Sequence, residues 1–466
     1  MSRPFEPKAF EPGNQPQPRG RPMRLKSGHG KKYGQAALLA LFLGIAGSGA
    51  RAQNQTIGKE FQGTIFSPPL ENVSLSKGSV FLPSLILEGN YDTNLLQSQG
   101  GPKLAGTFEV LEGELHYGYR HPGTDLLVSY WGGGRVYPKY SNLNSTMQDA
   151  RFQLQQRVTG RIQLTFTQRW ADLPGGAVLE TTAGQGYTLS GGIPQGAVFL
   201  QQRFSTSEST GMLTGQLSRR TFMVLGSNYV DTTHSGKNLI NMRELDVYGG
   251  IYFVPSRHQN LGVVFAEQWM KFGLGFGSSQ VQSLFGSYSL SLSPTITVSL
   301  FGGPSRVHQL ASLIDNSGNV LGIPSGQQTL PEKIQQGFLG GAKIERRVKH
   351  NTARVDYTQL VTGGAGFLST VVQQTGEVTL SRSVSRRVDL SLGGTYAQNQ
   401  LVGQSSLGFK NYYIQPGLQF RVTPHMRLTL RDSFGKITGL AGVAPIDREE
   451  ISLRIEYTFP QIPIGK

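Results

Sequence analysis

Carboxylate and imidazole are the side chains best suited to moving protons or holding a metal, and one stretch brings them together. Glu112, Glu114 and His116 lie two residues apart, so a β-strand would carry all three on one face. That grouping suits acid–base work or metal ligation. The bland reading, polar residues on the wetted side of a strand, fits the wider pattern better. The other histidines of the region beyond residue 52, His121, His234, His258, His308, His350 and His425, fall mostly in turns or loops. No H-E-x-x-H, G-x-S-x-G or Walker pattern occurs. The absence of Cys excludes disulfides and thiolate metal sites. The expectation is therefore no enzyme, no catalytic set, no cofactor and no metal site.

Arginine carries more information. Arg151, Arg157, Arg161, Arg169, Arg421, Arg427, Arg431 and Arg454 all fall on the polar parity of strand-like segments, with Glu456 on the same face as Arg454. Carboxylates accompany other basic residues, as in Lys343/Glu345/Arg347, Arg354/Asp356 and Arg387/Asp389. Such a face suits a wet pore with a positive lining that favours anions. It also suits a self-paired wall whose charges only keep an interior solvated. Both readings stand at this point.

The elements that must position these residues are strands. Ile451, Leu453, Ile455, Tyr457 and Phe459 alternate with Ser452, Arg454, Glu456 and Thr458, giving one apolar and one polar face. Eighteen such segments run nearly end to end from about 81 to 459, sixteen being the alternative count. Many are long enough to cross a bilayer tilted. Links from even to odd segments are short, such as Arg219-Arg220 and Thr423-Pro424-His425. Links from odd to even are long, the longest over about 172–206 and 309–334. That alternation predicts an all-β fold, a transmembrane antiparallel up-and-down β-barrel, with short turns toward the periplasm and long loops outside. Outward aromatics collect at both strand ends: Tyr119, Phe253, Phe420 and Phe459 at one, Tyr91, Trp170, Tyr396, Tyr412 and Phe434 at the other.

Composition agrees with this outline. Only 37% of the 466 residues are hydrophobic, as expected where a strand shows apolar residues at alternate positions. Residues 1–52 read as a leader: a basic stretch, an apolar run from Ala37 to about Ala46, and the A-x-A site Ala50-Arg51-Ala52. Met23 offers a second start and a shorter leader. The apolar run is too short to span a bilayer as a helix. Residues 1–52 hold nine of the 44 Lys and Arg and two of the 29 acids, so the remainder carries a net charge of +8. No compact basic patch with interleaved aromatics occurs, which argues against a nucleic-acid partner. Residues 53–80 form a periplasmic lead-in, 81–459 the barrel and 460–466 a tail that places Phe459 short of the terminus.

The first segment reads Leu85-Ile-Leu-Glu-Gly-Asn-Tyr91-Asp92-Thr93-Asn94-Leu95-Leu96. Its Y-D-x-N pattern resembles the opening strand of an outer-membrane β-barrel porin family. Parity puts Glu88, Asn90, Asp92 and Asn94 inward, and Leu87, Gly89, Tyr91 and Leu95 toward lipid. The resemblance implies a bacterial outer-membrane location, assembly by the barrel assembly machinery, and a link in some members to envelope polysaccharide systems. Residues and resemblance together predict a porin-like channel for passive passage of small polar or anionic solutes. The alternative is a non-conducting barrel serving as an envelope scaffold or surface-interaction protein. Outer-membrane lipid and small solutes are the expected partners, with the oligomeric state open.

Overall fold

The computed structural model describes residues 78–95, 103–174, 203–235, 241–273, 277–310, 312–315, 327–330, 332–364, 368–402, 404–439 and 445–464. The leader, the lead-in to residue 77 and the interiors of both long loops lie outside them. The chain divides into two units, Met1–Ala50 and Arg51–Lys466, and every described element belongs to the second. No described helix is long and apolar enough to cross a membrane.

Alternating side chains build strands β1 (Gly78–Asp92), β2 (Gly106–His121), β3 (Thr124–Val136), β4 (Ser145–Arg157), β5 (Ile162–Leu173) and β6 (Phe204–Gln216). They continue in β7 (Thr221–His234), β8 (Met242–Ser256), β9 (Gln259–Phe272), β10 (Ser278–Ser293) and β11 (Ile296–Gln309). A two-strand hairpin, β12 (Ser312–Asp315) and β13 (Gln327–Leu330), sits in the second long loop. The series resumes with β14 (Lys333–Val348), β15 (Asn351–Gly364), β16 (Leu368–Ser383), β17 (Val388–Leu401), β18 (Gln404–Arg421), β19 (Met426–Thr438) and β20 (Ile446–Thr458). Neighbours pair antiparallel, and β20 returns to β1 from Ser84↔Thr458 to Asp92↔Glu450. Apart from the hairpin and a short terminal strand, eighteen long strands thus close a barrel, one for each segment read from the sequence.

The eight links joining β2–β3, β4–β5, β6–β7, β8–β9, β10–β11, β14–β15, β16–β17 and β18–β19 are two to four residues long. They define a short-turn rim, opposite a long-loop rim where seven of the nine links have five residues or more, while β15–β16 and β17–β18 are joined by only three and two, against the expected alternation. The four-residue turns repeat one device. Thr159 Oγ1 accepts from the N–H groups of Arg161 and Ile162, at 3.2 and 3.1 Å. Ser218 and Ser385 do the same for the backbones that follow them. These hydroxyls satisfy N–H groups that a reversing strand leaves without a ladder partner.

The two faces sort as parity requires. Leu85, Leu87, Tyr91, Ile451 and Leu453 are exposed outward, while Glu88, Asn90, Asp92 and Ser452 are buried inward. Outside, Phe253, Phe420 and Phe459 stand toward the short-turn rim, and Tyr91, Trp170, Tyr412 and Phe434 toward the long-loop rim. Leu95 departs from its expected place. The strand ends at Asp92, the chain turns, and Leu95 buries itself beside Phe108, Tyr137 and Met147 instead of facing lipid. The tail also gains an account. Phe459 donates its N–H to the Pro83 carbonyl at 3.0 Å, and β21 (Ile462–Ile464) pairs with Ser79–Phe81 of β1. The segment beyond Phe459 thus prolongs the closing ladder.

One part of the wall leaves the ring. β11 and β14 pair as far as Gln309↔Lys333, but β14 and β15 pair only between Val348↔Asn351 and Gly340↔Gln359. Beyond Gln359, β15 and β16 stay together and their formally outward residues become buried. Val361 and Val402 pack with Met242, Phe272 and Val281 from the inner face of β8–β10. Thr370 hydrogen-bonds Ser279, and Gly363 leaves no room for a Cβ beside Met242. The ends of β15 and β16, with Val402 after β17, therefore tuck inside the barrel against the inner face of β8–β10.

Candidate functional site

The lumen carries the charged residues, and adjacent strands arrange them in rows. One row crosses six neighbouring ladders: Ser129↔Arg151↔Arg169↔Glu208↔Val230↔Glu244↔Met270. Arg151 and Arg169 both turn to Asp149, at 3.1 and 2.6 Å, and grip it from two strands. Glu208 stands next to Arg169 in the ladder but outside that group, and its Oε1 is buried without a hydrogen-bond partner. Glu244 accepts from Gln268 at 2.9 Å. Asp246, one step along β8, is buried with Oδ1 unpartnered. Charges withdrawn from water this way are costly unless a counter-charge or proton reaches them. β6 to β8 thus form an acidic wall flanked by one guanidinium pair.

The facing wall is basic. β8 and β19 stand nine places apart in the ring of eighteen, on opposite sides of the lumen. Glu456 lies 3.7 Å from Arg427 and 3.9 Å from Arg454, and Arg454 reaches Glu88 at 4.0 Å. Arg431 is on the same face of β19, across the ladder from Ser452. Arg421 is half exposed near the short-turn rim and bonds Asp389 at 3.2 Å. Arg157, the last residue of β4, and Arg161, in the turn that follows, are both exposed. The nine residues singled out from the sequence therefore separate into an inner pair on β4 and β5, a group of four on β19 and β20, and three at the short-turn rim.

The acidic wall was not recognised from the sequence. Its signal was there: Glu208 shares parity with Thr206 and Thr210, and Glu244 and Asp246 share parity with Tyr248. Only the ladder shows that these short polar runs are neighbours.

Glu112, Glu114 and His116 face inward as their parity requires. Glu112 accepts from Trp131 Nε1 at 2.9 Å, and His116 contacts Glu114 at 2.9 Å. Among the described residues no group of three or more His, Cys, Asp or Glu is spaced to hold a metal.

The Y-D-x-N residues sit where the barrel closes. Asp92 Oδ1 accepts from the Asn94 N–H at 2.7 Å, and Asp92 Oδ2 accepts from Arg448 Nε at 2.7 Å. Arg448 also donates to Glu450 at 2.6 Å. Asn94 Nδ2 reaches the Asp447 carbonyl at 2.9 Å, and Thr93 Oγ1 accepts from the Glu449 N–H at 2.9 Å. All of these bonds except the local Asx contact and the Arg448–Glu450 pair within β20 join the first long strand's end to the last long strand. Tyr91 points outward above them. The motif is a clasp on the seam.

No family model matches the chain, and no curated protein does. Among solved structures, Pseudomonas aeruginosa OccK2 (OpdF) in complex with glucuronate is 10% identical, with a TM-score of 0.43 over 82% of this chain and 99% of that one. Acinetobacter baumannii OccAB4 is 11% identical, with a TM-score of 0.40 over 84% and 99%. The siderophore receptor PirA from Pseudomonas aeruginosa is 9% identical, with a TM-score of 0.38 over 83% and 81%. The barrel of this chain rests on its own ladders.

Proposed function

We propose that the protein is a porin-like channel of the bacterial outer membrane, carrying small polar or anionic solutes passively and performing no chemistry. The single observation behind this reading is the charge-bearing lumen of a closed barrel with an apolar exterior. A ring of eighteen strands encloses enough space for an aqueous path. Arg151, Arg169, Arg427, Arg431 and Arg454 are the guanidinium groups we assign to the pore lining, with Glu456 among them and Arg157, Arg161 and Arg421 at its short-turn mouth. That rim is read as periplasmic because short turns lie there in barrels of this kind. Lipid, the barrel assembly machinery and small solutes are the corresponding partners.

The tucked ends of β15 and β16 favour a second reading, a non-conducting barrel acting as an envelope scaffold or surface-interaction protein. Conductance of the refolded protein in a planar bilayer separates the two. The channel reading expects stable current with anion preference, reduced by Arg427→Ala and Arg431→Ala. Protein shown to be folded by heat-modifiable migration, yet passing no current, leaves the scaffold reading.

A further inference from the structure

The two rims carry very different charge. The eight short turns contain seven Arg and Lys, three His and no Asp or Glu. The long-loop links between β1 and β20 hold four Lys and Arg against three Asp and Glu. Arg219-Arg220 and Arg386-Arg387 are adjacent pairs in single turns, and all four are exposed. Arg257 is exposed in the turn before β9. Solvation of turns alone does not require one sign, since either charge would serve.

We propose that this rim is a binding ring for anionic phospholipid headgroups of the leaflet it faces. The level is the first argument. Phe253, Phe420 and Phe459 are outward aromatics within a few residues of these turns, at the depth where rings meet headgroups. Orientation is the second. Arg346 and Arg382 share the outward parity of Ile344 and Leu380, so they stand on the lipid side just beyond the apolar band. Chemistry is the third. A guanidinium offers a planar fork matched to phosphate oxygens, and paired arginines offer two. Basic residues at such a surface attract anionic lipid additively, within a Debye length.

The test uses the full-length chain refolded into phosphatidylcholine vesicles, with or without about a third phosphatidylglycerol, a content that gives a clear surface potential. Urea unfolding is followed by the heat-modifiable band. The ring predicts a higher midpoint with phosphatidylglycerol, lost at high salt and lost in a variant carrying Arg219→Gln, Arg220→Gln, Arg386→Gln and Arg387→Gln. A variant with Lys139→Gln, Lys410→Gln and Lys436→Gln, at the other end of the barrel, should keep the response. Equal midpoints in the two lipids overturn the proposal, as does a response that survives the four arginine substitutions. Soluble polyglutamate supplied to protein in neutral vesicles tests an acidic macromolecule instead. Stabilisation by polyglutamate equal to that by phosphatidylglycerol overturns the lipid assignment. If a four-site variant fails to insert, the salt dependence of the unchanged protein decides.

Discussion

Asp92, Arg448 and Glu450 form an ion triad almost wholly out of water, on the seam where a barrel of this size could open. Removing one partner of a buried pair leaves the other charge uncompensated and costs about 3–5 kcal/mol. Arg448→Met should therefore lower the urea midpoint of the refolded protein, and Asp92→Asn should lower it less because the amide keeps one hydrogen bond. A midpoint unchanged in Arg448→Met would show that the clasp adds nothing to closure. Gly363 makes a second case. The Met242 side chain occupies the place a Cβ would need, whereas nothing lies within 4 Å of a Cβ at Gly376. Gly363→Ala should loosen the tucked strands and Gly376→Ala should be tolerated, as read from protease susceptibility of the folded barrel. The clasp residues were visible in the sequence as a motif, yet their partner Arg448 lies more than 350 residues away. Local pattern cannot reveal such a contact.

Each strand divides its side chains between lipid and lumen, and that division makes substitutions on neighbouring residues unequal. Leu453 is outward near the middle of β20, so Leu453→Arg should cost about 2–4 kcal/mol. Thr429 is on the lumen side of β19, and Thr429→Arg should be accepted. Urea unfolding in vesicles compares the two, and equal losses would contradict the assigned register. The departure of β15 from β14 is a property of the element as a whole. Ser279 and Thr370 belong to strands that are not ladder partners, yet their hydroxyls bond. A Ser279→Cys/Thr370→Cys pair should oxidise to an intramolecular disulfide in the folded protein. Failure to cross-link would place β16 back in an open ring. Val361 shares the parity of the outward Val355 and Tyr357, and Thr370 that of the outward Val378 and Leu380. The strand leaves the wall and carries its outer face into the lumen.

Across the whole molecule the charges are zoned. Glu208, Glu244 and Asp246 lie on β6–β8, and the arginines of β19 and β20 stand on the far side. A transverse field of this kind orients a polar solute and sets which sign passes more easily. Under the channel reading, Glu208→Gln with Glu244→Gln should move the reversal potential toward greater anion preference, opposite to the shift from Arg427→Ala. Shifts of the same sign would show that the two walls do not share one conduction path.

Strand number, faces, aromatic belts and the eight short turns followed from the chain alone, because each depends on residues near one another in sequence and on a period of two. The inward position of Glu112, Glu114, His116, Arg151 and Arg169 followed from the same rule. Which charges meet did not. Asp149 gathers Arg151 and Arg169, Glu208 stands apart from them, and Arg448 closes the seam because the ladders bring those strands into register. The inward tuck of β15 and β16 likewise depended on packing between non-neighbouring walls. Periodicity determines which way a side chain points relative to its own strand, while only closure of the sheet decides what it faces across the lumen.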